Sequence, residues 1–220
     1  MKRSILVIAG ASGVGKTTVA SALLTEPSSF GLVRSITTRA PRGDGHDGEY
    51  IYATREEFSR MVEADELVEY TDFGDNMYGT PKCELNRVFG EGRVPLLVLD
   101  VEGIKSLRKR EFDFTPVIVY LWYELDLIEK RLYDRDLKEE PTAEKLLSFL
   151  KRKANNVRDY LAMPELCPKI DLFVRNERVE ESAGEILSAF DKISRGEASN
   201  TSAENKKIAL ALYEMAKAKK

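Results

Sequence analysis

Several things are scarce in this chain, and each scarcity removes a class of function. Two cysteines, Cys83 and Cys167, stand among 220 residues. They have neither the pairing of a disulfide framework nor the spacing of a metal site, so they read as reduced structural thiols. The one histidine, His46, lies in the glycine- and aspartate-rich loop Gly43 to Gly48. Side chains in such loops are ordinarily solvated, so no catalytic imidazole is expected. No apolar stretch reaches the ~20 residues of a membrane span. The opening Met1-Lys2-Arg3 precedes only Ile5 to Ala9, which reads as a strand and not as a secretory leader. A basic surplus is missing too. The 34 lysines and arginines face 37 acids, for a net charge of −3 and a pI near 5.5, which argues against a nucleic-acid partner. The expectation is a soluble cytoplasmic α/β protein with an inserted subdomain and a sizeable core.

What is present begins at Gly10. Gly10-Ala11-Ser12-Gly13-Val14-Gly15-Lys16-Thr17 is G-x-x-x-x-G-K-[ST], set between the apolar run Ser4 to Ala9 and a helical pattern with Val19, Ala20 and Leu23. In that strand-loop-helix setting the motif grips a nucleotide triphosphate. The glycines let successive N–H groups turn inward as an anion nest. Lys16 is expected to bridge the β- and γ-phosphates, and the Thr17 hydroxyl to reach Mg²⁺ as the cofactor of ATP. Thr18 closes the ATP-binding set.

Val94 to Val101 and Val117 to Trp122 are continuous aliphatic runs, as strands buried on both faces should be, and Asp171 to Val174 is a shorter candidate. Leu125, Ile128 and Leu132 share a helical face, as do Ala183, Ile186, Leu187, Phe190 and Ile193. This alternation predicts a P-loop NTPase core with a parallel, doubly wound sheet. The segment from Ser35 to Pro81 differs. Its strand candidates, Glu49 to Ala53 and Leu67 to Asp72, are short and half polar. Between them Thr54-Arg-Glu-Glu57 is a capping box that starts a helix with Phe58, Met61 and Val62 on its buried stripe. A small inserted α+β subdomain, about 34–80, therefore interrupts a core of 1–33 and 81–195. Residues 196–220 are a polar linker and a helix with Ile208, Leu212 and Met215 near helical spacing. That helix is expected to dock on the core, the alternative being a partner-binding or dimerising helix.

The insertion holds a second cluster. Ser35-Ile-Thr-Thr-Arg39-Ala-Pro-Arg42 places a hydroxyl and two guanidinium groups within one short segment. Pro41 stiffens the turn, so the arginines converge as a phosphate fork, with the Tyr50 hydroxyl near. Glu69 ends a strand, and Tyr78-Gly79-Thr80 follows a turn at Gly74-Asp-Asn76. One carboxylate can accept N1–H and N2–H₂ of a guanine edge together, while O6 needs a donor such as Thr80. Singly these are ordinary residues: exposed arginines, a solvated strand acid, a core tyrosine. Together they make a pocket for a guanine nucleoside monophosphate.

The pairing of GxxxxGKT with SxTTRxPR, ELVEY and MYGT resembles guanylate kinase, from about Ser4 to Ile193. The resemblance implies transfer of the ATP γ-phosphoryl group to GMP, with a helical lid at about 125–160. It implies that Ser35, Arg39, Arg42, Tyr50 and Tyr78 hold the GMP phosphate, while Glu69, Thr80 and Asp100 read guanine. It places Arg131, Arg135 and Arg152 on the lid and Asn176 near the ATP adenine. Where the family carries an acid two residues before Asp100, this chain has Val98. Trp122-Tyr-Glu124 replaces a Pro-Pro-Ser lid entry, Asp136 a glycine after the second lid arginine. A phosphate acceptor is already ionised near neutral pH, so transfer needs no base, only in-line positioning and neutralised charge. A P-loop kinase for another phosphorylated acceptor and a non-catalytic interaction module remain alternatives. The expected partners are small nucleotides, with the chain a monomer or homodimer.

Overall fold

In the computed structural model, which describes residues 3–25, 28–41, 47–73, 75–109, 111–139, 141–197 and 202–219, the aliphatic runs are buried strands. β1 (Arg3–Gly10) is buried from Ile5 onward, and α1 (Lys16–Leu23) buries Val19, Ala20 and Leu23. β2 (Phe30–Leu32), β3 (Ser35–Thr37), β4 (Tyr50–Tyr52), α2 (Arg55–Glu63), β5 (Leu67–Phe73) and β6 (Asn76–Pro81) follow. Next are α3 (Lys82–Gly90), β7 (Val94–Leu99), α4 (Val101–Leu107), β8 (Phe114–Trp122) and α5 (Leu125–Asp136). The chain ends with α6 (Ala143–Leu161), the short α7 (Met163–Leu166), β9 (Leu172–Arg175), α8 (Val179–Ser194) and α9 (Ser202–Lys217). One sheet has the order β2-β7-β1-β8-β9, the other β4-β3-β6-β5. β2 pairs with β7 and β8 with β9 in parallel. The chain divides into two compact units, Met1–Val7 with Leu24–Pro116 and Ile8–Leu23 with Val117–Lys220.

Within the first unit, the smaller sheet is two-faced because strand side chains alternate. Ile36, Phe58 and Leu67 form an apolar cluster on one side, with Ile51, Ala53, Met61, Val62 and Met77 packed against it. The helix that supplies Phe58 begins at the expected capping box, in which Thr54 and Glu57 exchange side-chain to backbone bonds. The entry to β3 is pinned by Arg34, whose Nη2 donates to Glu84 Oε1 at 2.7 Å while Arg87 donates to Oε2 at 3.1 Å. The Arg34 bond holds the Glu84 carboxyl down to about 2. One expectation needs correction here. The run Val94 to Val101 does not end as strand: Asp100 Oδ1 accepts the Gly103 N–H at 2.8 Å and caps α4, so Val101 is helical. Both cysteines are free thiols, Cys83 exposed and Cys167 buried.

In the second unit α9 lies on α6 and α7. Its seam is Ala209, Leu212 and Ala216, all buried, with Asn205 Nδ2 donating to the Asp171 carbonyl at 3.2 Å. Met215 Sδ accepts the Leu125 N–H at the start of α5, at 3.4 Å. The terminal helix therefore docks intramolecularly. Among the described residues no helix is long and apolar enough to cross a membrane.

Candidate active site

The phosphate loop belongs to the second unit, and its shape is set by contacts a side chain would spoil. Gly15 has φ +101°, and a Cβ there would stand 2.6 Å from Asn176 Nδ2. At Gly10, φ +152°, a Cβ would stand 2.4 Å from the Leu121 carbonyl oxygen. The carbonyls of the loop are taken up by side-chain donors. Lys16 Nζ donates to Gly10 O at 2.7 Å and Ala11 O at 3.0 Å. Asn156 Nδ2 donates to Ser12 O at 2.9 Å, and Asn156 Oδ1 accepts the Ser12 N–H at 2.8 Å. Val14 O accepts from Asn176 Nδ2 at 2.8 Å and from Arg131 Nη1 at 3.4 Å. Those acceptors are drawn into the protein, as are the Ser12 and Val14 N–H groups, so an anion would be met by the other N–H groups of the turn. Gly13 and Thr17 are half-buried, and Thr18 is exposed on the first turn of α1.

Asn176, the residue that the family resemblance places near the ATP adenine, follows β9. It is buried, with its Nδ2 on the loop and its Oδ1 accepting the Ser182 hydroxyl at 2.8 Å. It is thus a strap on the loop. Arg131 also donates to Asn176 O at 3.3 Å and stacks 4.3 Å from the Tyr123 ring, whose other neighbour is Arg175 at 5.0 Å. Arg135 and Arg152 meet on one carboxylate. Arg135 donates to Asp136 at 2.6 and 2.9 Å, and Arg152 Nη1 to Asp136 Oδ2 at 3.5 Å. Sequence reasoning missed Asn156 and Ser182, which carry no motif.

The second cluster belongs to the first unit. The registers Ser35↔Tyr50 and Thr37↔Tyr78, with Glu69↔Thr80, put Ser35, Tyr50, Tyr78, Thr80 and Glu69 on the sheet face opposite the apolar cluster. Arg39 follows β3, its N–H held by Thr37 Oγ1 at 3.1 Å. Its guanidinium lies 5.2 Å from the Tyr50 ring, and Tyr50 and Tyr78 meet edge-on at 6.4 Å. Arg39 Nη1 is buried with no hydrogen-bond partner among the described residues, a donor with capacity for a further acceptor. Arg42 and His46 lie outside the described residues.

Glu69 is 3% exposed and Thr80 1%. Thr80 Oγ1 donates to Glu69 Oε1 at 2.7 Å. Burial pushes the Glu69 carboxyl up to about 8, the Thr80 bond opposes this, and the Asp100 charge adds to it. Burial thus favours the protonated, neutral form of Glu69. Asp100 contributes from the α4 cap, with one oxygen already engaged.

A family model described as guanylate kinase matches residues 2–193. The chain belongs to the guanylate kinase family. A guanylate kinase of Clostridioides difficile (strain 630) is 32% identical over 88% of this chain and 92% of its own length. One from Sus scrofa is 32% identical over 80% and 86%. The crystal structure of guanylate kinase from Anaplasma phagocytophilum matches with a TM-score of 0.58 at 27% identity, covering 91% of this chain and 88% of that one. The likeness makes this protein an ATP-dependent nucleoside monophosphate kinase on a P-loop NTPase fold, with α9 beyond the part that the guanylate kinase family model matches.

Proposed function

We propose that this guanylate kinase holds ATP on Gly10 to Thr18, reads GMP on the polar face of the smaller sheet, and moves the γ-phosphoryl group between them to give ADP and GDP. The insertion of about 34–80 is then the GMP-binding part and about 125–160 the lid. Arg39, with Arg42, Ser35, Tyr50 and Tyr78, would grip the GMP phosphate. Lys16, Arg131, Arg135 and Arg152 would meet the charge of the transferring group. Lys16 now rests on loop carbonyls and would exchange them for phosphate oxygens. The substrates are soluble nucleotides, which suits a cytoplasmic monomer or homodimer.

The residues present fit Mg²⁺. Among the described residues no three His, Cys, Asp or Glu side chains converge to cage a metal. The Thr17 hydroxyl is a hard oxygen donor, and Mg²⁺ needs few of these because it keeps several waters and leans on phosphate oxygens. When bound, the ion neutralises charge on the β- and γ-oxygens.

The observation that carries the acceptor assignment is the buried Glu69–Thr80 pair. A guanine edge would bring two donors to the carboxyl. That frees the single Thr80 proton, now given to Glu69, to turn to the guanine O6, so every buried polar atom keeps a partner. Adenine reverses that pattern. The test is a coupled ADP-release assay across GMP, AMP, CMP and UMP, on the wild type and on Glu69→Gln. The wild type should take GMP. The variant should lose on the order of 10²-fold in kcat/KM for GMP, the cost of mismatched buried groups, with ATP binding unchanged. An unaltered preference for GMP over AMP in the variant overturns the assignment.

A further inference from the structure

Asn156 is 2% exposed and grips both backbone groups of Ser12, accepting its N–H at 2.8 Å and donating to its carbonyl at 2.9 Å. An amide matched to a peptide group in this way permits one placement of Ser12 relative to α6. Four residues on, Tyr160 is fully buried and does the same to Tyr123. Its hydroxyl donates to Tyr123 O at 2.6 Å and accepts the Tyr123 N–H at 3.1 Å. Four residues before Asn156 stands Arg152. Residues spaced by four share one face of a helix, so Arg152, Asn156 and Tyr160 form one stripe. Its last two members are bolted to the turns that follow β1 and β8. The opposite side of the first half of α6 exposes Leu146, Leu147 and Leu150 at about half their surface.

We propose that Asn156 is a positioning residue for phosphoryl transfer: it locks the phosphate loop to the lid helix, so that Arg152 is placed relative to the loop by a two-point hydrogen bond. Burying an amide is costly unless both of its bonds form, so the bridge holds one geometry and loses much of its worth when either bond goes. The inference rests on the reading of the loop and of Arg152 as the groups that meet the transferring phosphoryl. Asn156 itself touches neither nucleotide.

The test is a double-mutant cycle on the full chain, with Asn156→Leu, Arg152→Ala and the pair. Leucine has nearly the shape of asparagine and keeps the packing while removing both hydrogen bonds. Thermal unfolding is recorded for each variant, and kcat is expressed per folded molecule. Asn156→Leu should lower kcat about 10- to 100-fold, the effect of an ångström-scale misplacement. It should leave the KM for GMP within about twofold, because the lost contact acts in the transition state. In the Arg152→Ala background the same substitution should lower kcat by less than about threefold, since residues acting as a unit are not additive. A folded Asn156→Leu protein with wild-type kcat, beside an impaired Arg152→Ala, overturns the inference while leaving the function intact. Losses that multiply in the pair overturn it as well. Wild-type kcat in Arg152→Ala removes the premise and with it the inference. Where Asn156→Leu does not fold, Asn156→Asp, which keeps the acceptor for the Ser12 N–H, takes its place in the cycle.

Discussion

The phosphate loop and the polar face of the smaller sheet solve the problem of a charged ligand in opposite ways. Around the loop the carbonyls of Gly10, Ala11, Ser12 and Val14 all have side-chain donors, drawn from Lys16, Asn156, Asn176 and Arg131. Its backbone is tied to Asn156 and Asn176 whether or not a nucleotide is bound. On the sheet face Arg39 Nη1 has no hydrogen-bond partner among the described residues, and burial favours the neutral form of Glu69. On the function proposed above, the first region would recognise by shape, as suits a triphosphate common to many reactions. The second would recognise by the unmet electrostatic demand of Arg39 and Glu69, which a ligand of the wrong pattern would leave unmet.

The sharpest contrast comes from Lys16→Ala. The lysine is part of the finished loop, and its charge should act more on the transition state than on bound ATP. We expect kcat to fall at least about 10³-fold, as for other charge-supplying groups in phosphoryl transfer, with the unfolding midpoint nearly unchanged. Near wild-type turnover in a lysine-free loop would remove it as the ATP site.

The arginines divide along the same line with smaller effects. Arg39→Ala should raise the KM for GMP about 10-fold or more with kcat little changed, because a phosphate grip acts on ground and transition states alike. Arg131→Ala should lower kcat, since its guanidinium leaves the Val14 and Asn176 carbonyls for charge that develops during transfer. Identical kinetic signatures for the two variants would collapse the division.

Much of the loop side is contiguous in the chain, and so it was legible. Glycine spacing, the lysine and the flanking aliphatic run all lie between Ser4 and Leu23, and local physics dictates them. The sheet side depended on register. Glu69 and Thr80 are easily named as candidates, but only the β5–β6 pairing sets them opposite. β2 and β3 have three residues each, too few for a period to show. Asn156 and Asn176 were illegible as loop straps for the same reason, as their partners lie 144 and 162 positions away. The α9 seam was misjudged because alanine carries little hydrophobic signal. Ala209 and Ala216 flank Leu212 in the interface, while Ile208 and Met215 are only half-buried.

The unmet demand at Glu69 should appear as pH dependence. Its folded value of about 8 lies above the ordinary 4.5, so the folded, ligand-free protein keeps a proton that the unfolded chain gives up. Stability from this group is complete below about pH 4.5 and is lost as pH rises through about 8. Guanine donors favour the carboxylate, so GMP should expel that proton. Its affinity should rise about fivefold between pH 7 and 8, above the phosphate's own ionisation near 6. Titration calorimetry in buffers of different ionisation heat should detect the released proton, and Glu69→Gln should abolish both signals. A pH-independent affinity in the wild type would mean that Glu69 stays neutral in the complex.

The smallest effect tests whether the loop side is as complete for metal as it is for phosphate. Val98 is half-buried near the end of β7, two residues before the Asp100 that caps α4. An acid at that position would add an outer acceptor for the waters of Mg²⁺, whose orientation depends on such groups. Thr17 and the phosphate oxygens would bind the ion without it, so the native chain should be active but more demanding of free metal. We expect Val98→Asp to lower the Mg²⁺ concentration for half-maximal activity about threefold, a modest share of what outer acceptors contribute elsewhere. ADP binding measured by calorimetry at several Mg²⁺ concentrations should move in step. A carboxylate placed there also loses solvation and stands close to Asp100, so the unfolding midpoint is measured alongside. A well-folded Val98→Asp protein with an unchanged Mg²⁺ requirement in both assays would show that the waters are held from elsewhere. Asp100 would then be the first candidate, because only one of its oxygens is committed to the α4 cap.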